Sequence, residues 1–130
     1  MATKLFVNIP VKDLGRSKAF FTDLGFDFFG SAEDMASVIV NDDTQVMLMA
    51  ESTFAGYASN EVADPAKSTQ VILVLGLENR AQVDKLVDKA LAGGAAPAGR
   101  PADDGFMYRR GFADLDGHHW EALCLEQPEG

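Results

Sequence analysis

Cysteine and positive charge are both scarce in this 130-residue chain, and each deficit excludes a class of protein. Cys124 is the only cysteine, so the chain can form neither an intramolecular disulfide nor a zinc site of several thiolates. Lysine and arginine number 11 against 20 aspartates and glutamates, which gives a net charge of −9. This charge disfavours nucleic acid and anionic membrane surfaces as partners, and it is compatible with a cationic ligand.

Long apolar runs and the familiar catalytic signatures are missing as well. No run is long enough to span a bilayer, and the first residues lack the pattern of a secretory signal peptide, so we expect a cytoplasmic protein. The sequence contains no Ser–His–Asp spacing, phosphate loop or nucleotide fingerprint. The length and the hydrophobic content of 47% instead predict a globular protein of one domain, or of two very small modules that share a core.

The chain repeats one order of elements, namely strand, helix and three strands. The first set comprises strands at Leu5–Val11, Phe26–Phe29, Ala36–Val40 and Gln45–Ala50 and a helix at Leu14–Leu24. The second comprises strands at Thr69–Leu77, within Ala95–Gly105, at Phe106–Ala113 and up to Leu125, with a helix that ends at Leu91. The predicted helix caps Asp13 and Asn79 lie 66 residues apart (79 − 13), about half of the chain length.

A repeat at half the chain length predicts an α+β fold of two βαβββ modules, whose curved mixed sheets pair around a cleft. We place the first module at 1–50, a linker with one irregular helical turn at 51–68, and the second module at 69–126. Residues 127–130 should fray. A cleft between modules is a common place for a small-molecule site.

The segment Phe112–Leu125 carries the main functional candidate. Asp116-Gly117 predicts a tight turn, and the alternation of the strand that follows puts His119 and Glu121 on one face. Both faces of this strand are largely apolar, and a buried carboxylate is costly unless it is paired. Glu121 is therefore a candidate pocket or catalytic group, with His119 as its proton partner. The alternative is a structural carboxylate held by an arginine or by backbone N–H groups.

Two segments resemble the vicinal oxygen chelate superfamily, which includes glyoxalase I, extradiol dioxygenases, fosfomycin-inactivating enzymes and bleomycin-resistance proteins. They are VKDLGRSKAFFTDLGF (Val11–Phe26) and FADLDGHHWE (Phe112–Glu121). The family versions read roughly V-x-D-L-x-x-S-x-x-F-Y-x-x-L-G-F and F-x-D-P-D-G-N-x-x-E. Within the superfamily, the pairing of FVNIPVKDL with GFMYRRGFADLDGHHWE is similar to a branch labelled predicted lactoylglutathione lyases.

The resemblance implies a metal centre in the active members, with ligands on the first, fourth, fifth and eighth strands. The matching positions here are Phe6, a position near Met47 or Leu48, a position on or near Ile72, and Glu121. Only Glu121 is an intact match, and His119 beside it does not complete a metal site. We therefore expect no cofactor. A divalent metal is possible, but its ligand set is incomplete, and Glu121 would be its one ligand.

The resemblance and the missing ligands together favour a glyoxalase-like protein that binds or sequesters an aromatic or cationic compound in a pocket between the modules. Besides Glu121 and His119 as candidate catalytic residues, the predicted pocket residues are Asn8, Met47, Met49, Gln70, Tyr108 and Arg110. The alternatives are a metal-dependent lyase or isomerase of the lactoylglutathione lyase type, a related dioxygenase, and metal-free catalysis by Glu121 or His119. We expect a homodimer, because exposed sheet faces and edges are readily buried by a two-fold partner.

Overall fold

The structure, a computed structural model, describes residues 3–126, so the predicted frayed tail at 127–130 lies outside the described residues. The chain divides into two compact units, with the boundary between Val62 and Ala63. Within the described residues, no helix is both long enough and apolar enough to cross a membrane.

The first unit is a four-stranded sheet with two helices. Its elements are β1 (Leu5–Val11), α1 (Leu14–Asp23), β2 (Phe28–Ser31), β3 (Met35–Asn41), β4 (Thr44–Ala50) and α2 (Glu51–Tyr57). The strand order is β1-β4-β3-β2, with β1 and β4 parallel and the other pairs antiparallel. The parallel pairing of the first and last strands requires the crossover that α1 supplies.

Helix α1 begins at Leu14, as the sequence predicts, and ends at Asp23, one residue before the predicted end. The Asp13 carboxylate accepts a hydrogen bond from the backbone N–H of Arg16 at 3.1 Å, and Gly25 follows the helix with a φ of +103°. The helix packs against β3 and β4. The apolar core of this unit consists mainly of buried side chains from these elements and β1, namely Ile9, Val11, Phe20, Phe21, Val38, Val46 and Leu48.

The second unit repeats this topology. Its elements are β5 (Ile72–Leu77), α3 (Arg80–Ala92), β6 (Ala96–Pro97), β7 (Ala102–Asp103), β8 (Met107–Ala113) and β9 (His119–Leu125). The strand order is β5-β9-β8-β6, with β7 also paired to β8, and β5 and β9 are parallel. The predicted α+β architecture of two βαβββ modules is therefore confirmed, since both halves have the same strand order.

Helix α3 covers one face of the second sheet. Its cap is Asn79, whose side chain accepts from the backbone N–H of Gln82 at 2.9 Å, as the sequence predicts. Its buried residues Val83, Leu86, Val87 and Ala90 pack on the side of the sheet that buries Phe112, Trp120 and Cys124. The rings of Phe112 and Trp120 stack in parallel with centroids 6.4 Å apart.

The structure differs from the sequence predictions mainly in the irregular segments. The predicted linker begins with the seven-residue helix α2 instead of one irregular turn. Strand β5 begins at Ile72 and not at Thr69, because its partner strand begins at His119 and offers no earlier pairing. Between α3 and β8 there are two short strands instead of one. Two-residue strands are too short to leave an alternating pattern in the sequence.

Candidate functional site

The candidate site of the second unit lies on the face of its sheet that is turned away from α3. Glu121 stands on β9 directly between Val74 on β5 and Gly111 on β8, which are its register partners. Its side chain is 10% exposed. Because side chains alternate along a strand, His119 and Leu123 lie on the same face as Glu121. The sequence prediction that His119 and Glu121 share a face is confirmed.

Two nitrogen atoms flank the Glu121 carboxylate. Arg109 Nε lies 3.5 Å from Glu121 Oε2, and His119 Nε2 lies 3.3 Å from Glu121 Oε1. These are ion-pair distances, but neither contact has hydrogen-bond geometry, and among the described residues both nitrogen atoms are buried without a hydrogen-bond partner. Buried polar atoms are satisfied in the great majority of cases, so this pair of nitrogen atoms marks a place with spare hydrogen-bonding capacity.

Arg109, and not Arg110, is the arginine on the Glu121 face. Arg110 Nη1 lies on the helix side, 2.9 Å from Asp84 Oδ1 and 3.0 Å from Asp88 Oδ1 of α3. Tyr108 also turns to the helix side, where its hydroxyl donates to Asp84 at 2.6 Å. That hydrogen bond, and then the one from Arg110, lowers the pKa of Asp84. Arg110 and Tyr108, both predicted as pocket residues, therefore lie on the opposite face from Glu121, since the β8–β9 register sets Gly111 opposite Glu121.

The predicted pocket residues of the first unit are neighbours on β1 and β4. Asn8 pairs in register with Met47, and Met49 is buried with 3% exposure. Met47 lines an open cavity of about 220 Å³ on the β2–β3–β4 side of this unit. The cavity lining is almost entirely apolar; it includes Phe29, Ala32, Met35, Ser37 and Met47. Phe29 is 70% exposed although it is aromatic, so the cavity has an accessible aromatic wall.

Gln70 belongs to neither group. It is exposed and lies in a bend before β5 begins, so it does not share a strand face with any other predicted residue. The structure thus brings Glu121 together with His119 in one unit, and Asn8 together with Met47 in the other.

The comparisons with known proteins agree with this architecture. The model of the Glyoxalase/Bleomycin resistance protein/Dioxygenase superfamily matches residues 5–122. The chain belongs to this superfamily. No curated protein matches the chain. The branch label of lactoylglutathione lyase has no support from these comparisons.

Solved structures of the superfamily fold cover nearly the whole chain. The hypothetical protein SA1046 from S. aureus is 28% identical, with a TM-score of 0.81 and coverage of 95% of each chain. A glyoxalase-related enzyme from Fulvimarina pelagi is 16% identical, with a TM-score of 0.80 over 95% of this chain and 88% of that chain. The fosfomycin resistance protein FosX from Listeria monocytogenes is 16% identical, with a TM-score of 0.68 over 95% and 93% of the two chains. The two structures at 16% identity show the shared fold alone.

Around Glu121, the described side chains do not supply the three or four donors of a divalent metal site. Among residues 3–126, no group of three or more histidine, cysteine, aspartate or glutamate side chains could hold a metal ion. Glu121 and His119 are two positions apart on one strand, and the cationic Arg109 lies beside the carboxylate. A selective divalent site needs three or four convergent donors, and a neighbouring guanidinium competes with the metal for the same oxygen atoms.

Sequence reasoning did not foresee the role of Asp114. This residue is 6% exposed, and its carboxylate accepts from the backbone N–H groups of Asp116 and His118 and from Trp120 Nε1, each at 3.0 Å. Burial is the main influence on its pKa and raises it, while the nearby positive charge of His118 and the hydrogen bonds oppose that shift. Asp114 thus fixes the start of β9, the strand that carries Glu121. An aspartate at the start of a turn often accepts hydrogen bonds from the backbone of that turn, and this pattern in the sequence could have indicated the role of Asp114.

Proposed function

We propose that this superfamily member binds a small aromatic compound without a metal ion, as a sequestering protein would, and is not a metal-dependent isomerase. The observation that carries the proposal is the position of Arg109 beside Glu121, 3.5 Å from the carboxylate. The one acid that matches a superfamily ligand position already faces a cation. A partner of opposite charge satisfies a carboxylate that would otherwise attract a metal.

The aromatic part of the proposal is supported by the apolar cavity of the first unit. Its volume of about 220 Å³ accommodates a single aromatic ring with a substituent, and Phe29, Met35 and Met47 line it. Thioether sulfur atoms make favourable contacts with aromatic rings, and a flexible methionine adapts to ligands of different shape.

The net charge of −9 does not produce an excess of negative charge at Glu121. At Glu121 the local charge is balanced by Arg109, and His119 adds a further positive charge when it is protonated. A cationic group would therefore have to displace Arg109 from the carboxylate. We accordingly place the aromatic ring, and not a positive charge, at the centre of the recognition.

Metal analysis separates this proposal from the lyase or isomerase alternative. The protein is dialysed against a chelator and titrated calorimetrically with Ni²⁺, Zn²⁺ and Fe²⁺, in parallel with Glu121→Gln. We expect no stoichiometric tight binding. One tightly bound ion per chain, lost in Glu121→Gln, would refute the metal-free proposal and favour the metal-dependent enzyme.

Ligand binding is tested with four probes: benzyl alcohol, its saturated analogue cyclohexylmethanol, benzoate and benzyltrimethylammonium. We expect benzyl alcohol to raise the melting temperature more than cyclohexylmethanol does; a probe at 100 times its Kd adds about 2.7 kcal/mol of stability. Ala32→Trp, which fills the cavity from its exposed rim, should abolish the shift. Ala81→Trp, at an exposed position of α3, is the matched control. Equal shifts in both variants would contradict the cavity as the binding place.

We also propose that the protein forms a homodimer. Strand β5 stands at the end of its sheet, and Ile72 and Val74, on the same face as Glu121, are 47% and 50% exposed. Exposed apolar side chains on an edge strand are commonly covered by a partner. Light scattering coupled to size exclusion gives the mass, and a monomer at micromolar concentration would contradict this expectation.

A further inference from the structure

The segment of residues 98–100 lies directly over the Glu121 and His119 side chains, and glycine makes this approach possible. Gly99 has a φ of +71°. A β-carbon placed on it would lie 3.0 Å from Glu121 Oε1 and 3.1 Å from His119 Nε2. These distances are shorter than ordinary contacts between carbon and a polar atom, so the backbone reaches the pair only because residue 99 has no side chain.

A second glycine completes the same contact from the sheet. Gly111 is the register partner of Glu121 on β8. A β-carbon on it would lie 2.6 Å from the carbonyl oxygen of Ala98 and 3.3 Å from Glu121 Cγ. In this segment, Ala98 therefore lies against Gly111 of the sheet, and Gly99 lies against the Glu121 carboxylate. No side chain separates the segment from either contact.

The segment spans the gap between β6 and β7, which both pair with β8. It belongs to no helix or strand, and Gly99 and Arg100 are exposed. The backbone hydrogen bond from Ala98 to the Gly111 carbonyl is 3.5 Å long, at the limit of such an interaction. The groups beneath it are by contrast well buried, with side-chain exposures of 10% for Glu121 and 15% for His119. Displacing residues 98–100 disturbs less of the structure than moving the acid would.

We propose that residues 98–100 form a displaceable cover over Glu121 and His119, and that the absence of a side chain at Gly99 lets the cover close. A compound reaches the pair when the cover moves aside. The chemical class that suits the pair is a hydroxyl compound, because one hydroxyl group can donate to Glu121 Oε1 and accept from the N–H of His119 Nε2, which has no hydrogen-bond partner among the described residues. The identity of the compound rests on the proposed small-molecule function, whereas the cover itself does not.

The test measures access to His119 Nε2 and needs no ligand. Diethyl pyrocarbonate acylates a neutral imidazole: the ring nitrogen attacks a carbonyl carbon, an N–C bond forms, and ethanol and carbon dioxide leave. Fragmentation mass spectrometry of the modified peptide distinguishes His118 from His119, the two histidines of the chain. In the native wild type we expect His119 to react about tenfold slower than in the urea-unfolded chain, because the cover protects it.

Gly99→Ala is the decisive variant, and Gly105→Ala is its matched control. Both glycines have a positive φ, +71° and +85°, but a β-carbon at Gly105 meets no atom within 4 Å. Both substitutions therefore strain the backbone, and only the first also pushes against Glu121 and His119. We expect Gly99→Ala to raise the His119 rate about fivefold and Gly105→Ala to leave it within about twofold of the wild type.

Equal rates in the two variants would overturn the proposal. If Gly99→Ala does not fold, the wild-type measurement decides alone: native His119 that reacts as fast as in urea refutes the cover, and strong protection supports it. If the His119 rates are as expected but none of the aromatic probes binds, the proposal of the cover stands and the proposed aromatic ligand class is refuted.

Discussion

Replacement of Asp114 by alanine should destabilise the second unit by about 2–4 kcal/mol, although this residue lies outside the Glu121 site. The buried carboxylate accepts three hydrogen bonds, each 3.0 Å long, from two backbone N–H groups of the turn and from Trp120 Nε1. Together they join the end of β8 to the start of β9. Asp114→Ala removes all three acceptor contacts at once.

The magnitude follows from the burial of the three donors. Trp120 is 1% exposed, so its indole N–H cannot exchange this acceptor for bulk water, and the loss costs about 1–3 kcal/mol. The backbone donors of Asp116 and His118 lie in a half-exposed turn, where water replaces part of each bond and the loss is about 0.5–1 kcal/mol apiece. Removing a desolvated carboxylate returns some of this energy, which keeps the total near the stated range.

Comparison of the wild type with Asp114→Asn isolates the pH dependence of stability that comes from the Asp114 carboxyl group. Burial raises the pKa of Asp114 in the folded state. The folded protein then holds its proton to a higher pH than the unfolded chain does, so wild-type stability falls as the pH rises from the ordinary aspartate value of about 3.9 through the raised value. Asparagine does not titrate. The stability of the wild type relative to Asp114→Asn should therefore decline across that window and level off above it.

Urea unfolding followed by far-UV circular dichroism measures these effects, and a double-mutant cycle isolates the indole contact. Trp120→Phe removes the N–H group and retains an aromatic ring against Phe112. On that background Asp114→Asn should cost less than it does in the wild type, by about 1 kcal/mol. Asp42→Ala, at an exposed turn position, is the control and should stay within about 0.5 kcal/mol of the wild type. If Asp114→Ala also stays within about 0.5 kcal/mol of the wild type, the three hydrogen bonds do not stabilise the fold as argued.

Three further predictions concern the second unit. The hydrogen bond from Arg80 lowers the pKa of Asp103 to about 2, so the stability lost in Asp103→Asn should be measurable by urea unfolding above the ordinary aspartate pKa and should vanish as the pH falls through about 2. Arg109→Gln should destabilise the protein by about 1 kcal/mol after allowance for solvent at the arginine, and by less on a Glu121→Gln background; equal losses in urea would contradict the pairing. Gly117→Ala should lower the urea midpoint by the equivalent of about 2 kcal/mol or more, because its φ is +100° and a β-carbon there would lie 2.8 Å from a backbone atom of a neighbouring loop; an unchanged midpoint would contradict this.

The regular elements were predictable because each depends on neighbours in the sequence. The caps Asp13 and Asn79 accept from the backbone N–H three residues on, a contact that the spacing alone fixes. Strand β1 has the predicted bounds, Leu5–Val11. Helix α2 was missed because its seven residues include a glycine and no apolar stripe. A helix of two turns is too short to leave a recognisable apolar periodicity in the sequence.

For the site, the sequence predicted only the relations between residues of a single strand. The shared face of His119 and Glu121 follows from alternation within β9, but the choice between Arg109 and Arg110 depends on the register of β8 against β9. A shift of one residue reverses the answer. The approach of Gly99 to Glu121 is more remote still, because it joins an irregular segment to a strand more than twenty positions later. No local sequence pattern predicts such a contact.

The internal duplication sets an apolar residue of the first unit at the position that an acid occupies in the second. Asn8 and Val74 each lie five residues before their helix cap, and their register partners on the last strand of each unit are Met47 and Glu121. Met47 is therefore the counterpart of Glu121. A thioether is a poor ligand for the hard divalent ions that carboxylates hold, but it suits an apolar compound. The first unit accordingly has an apolar cavity where the second has an acid paired with Arg109.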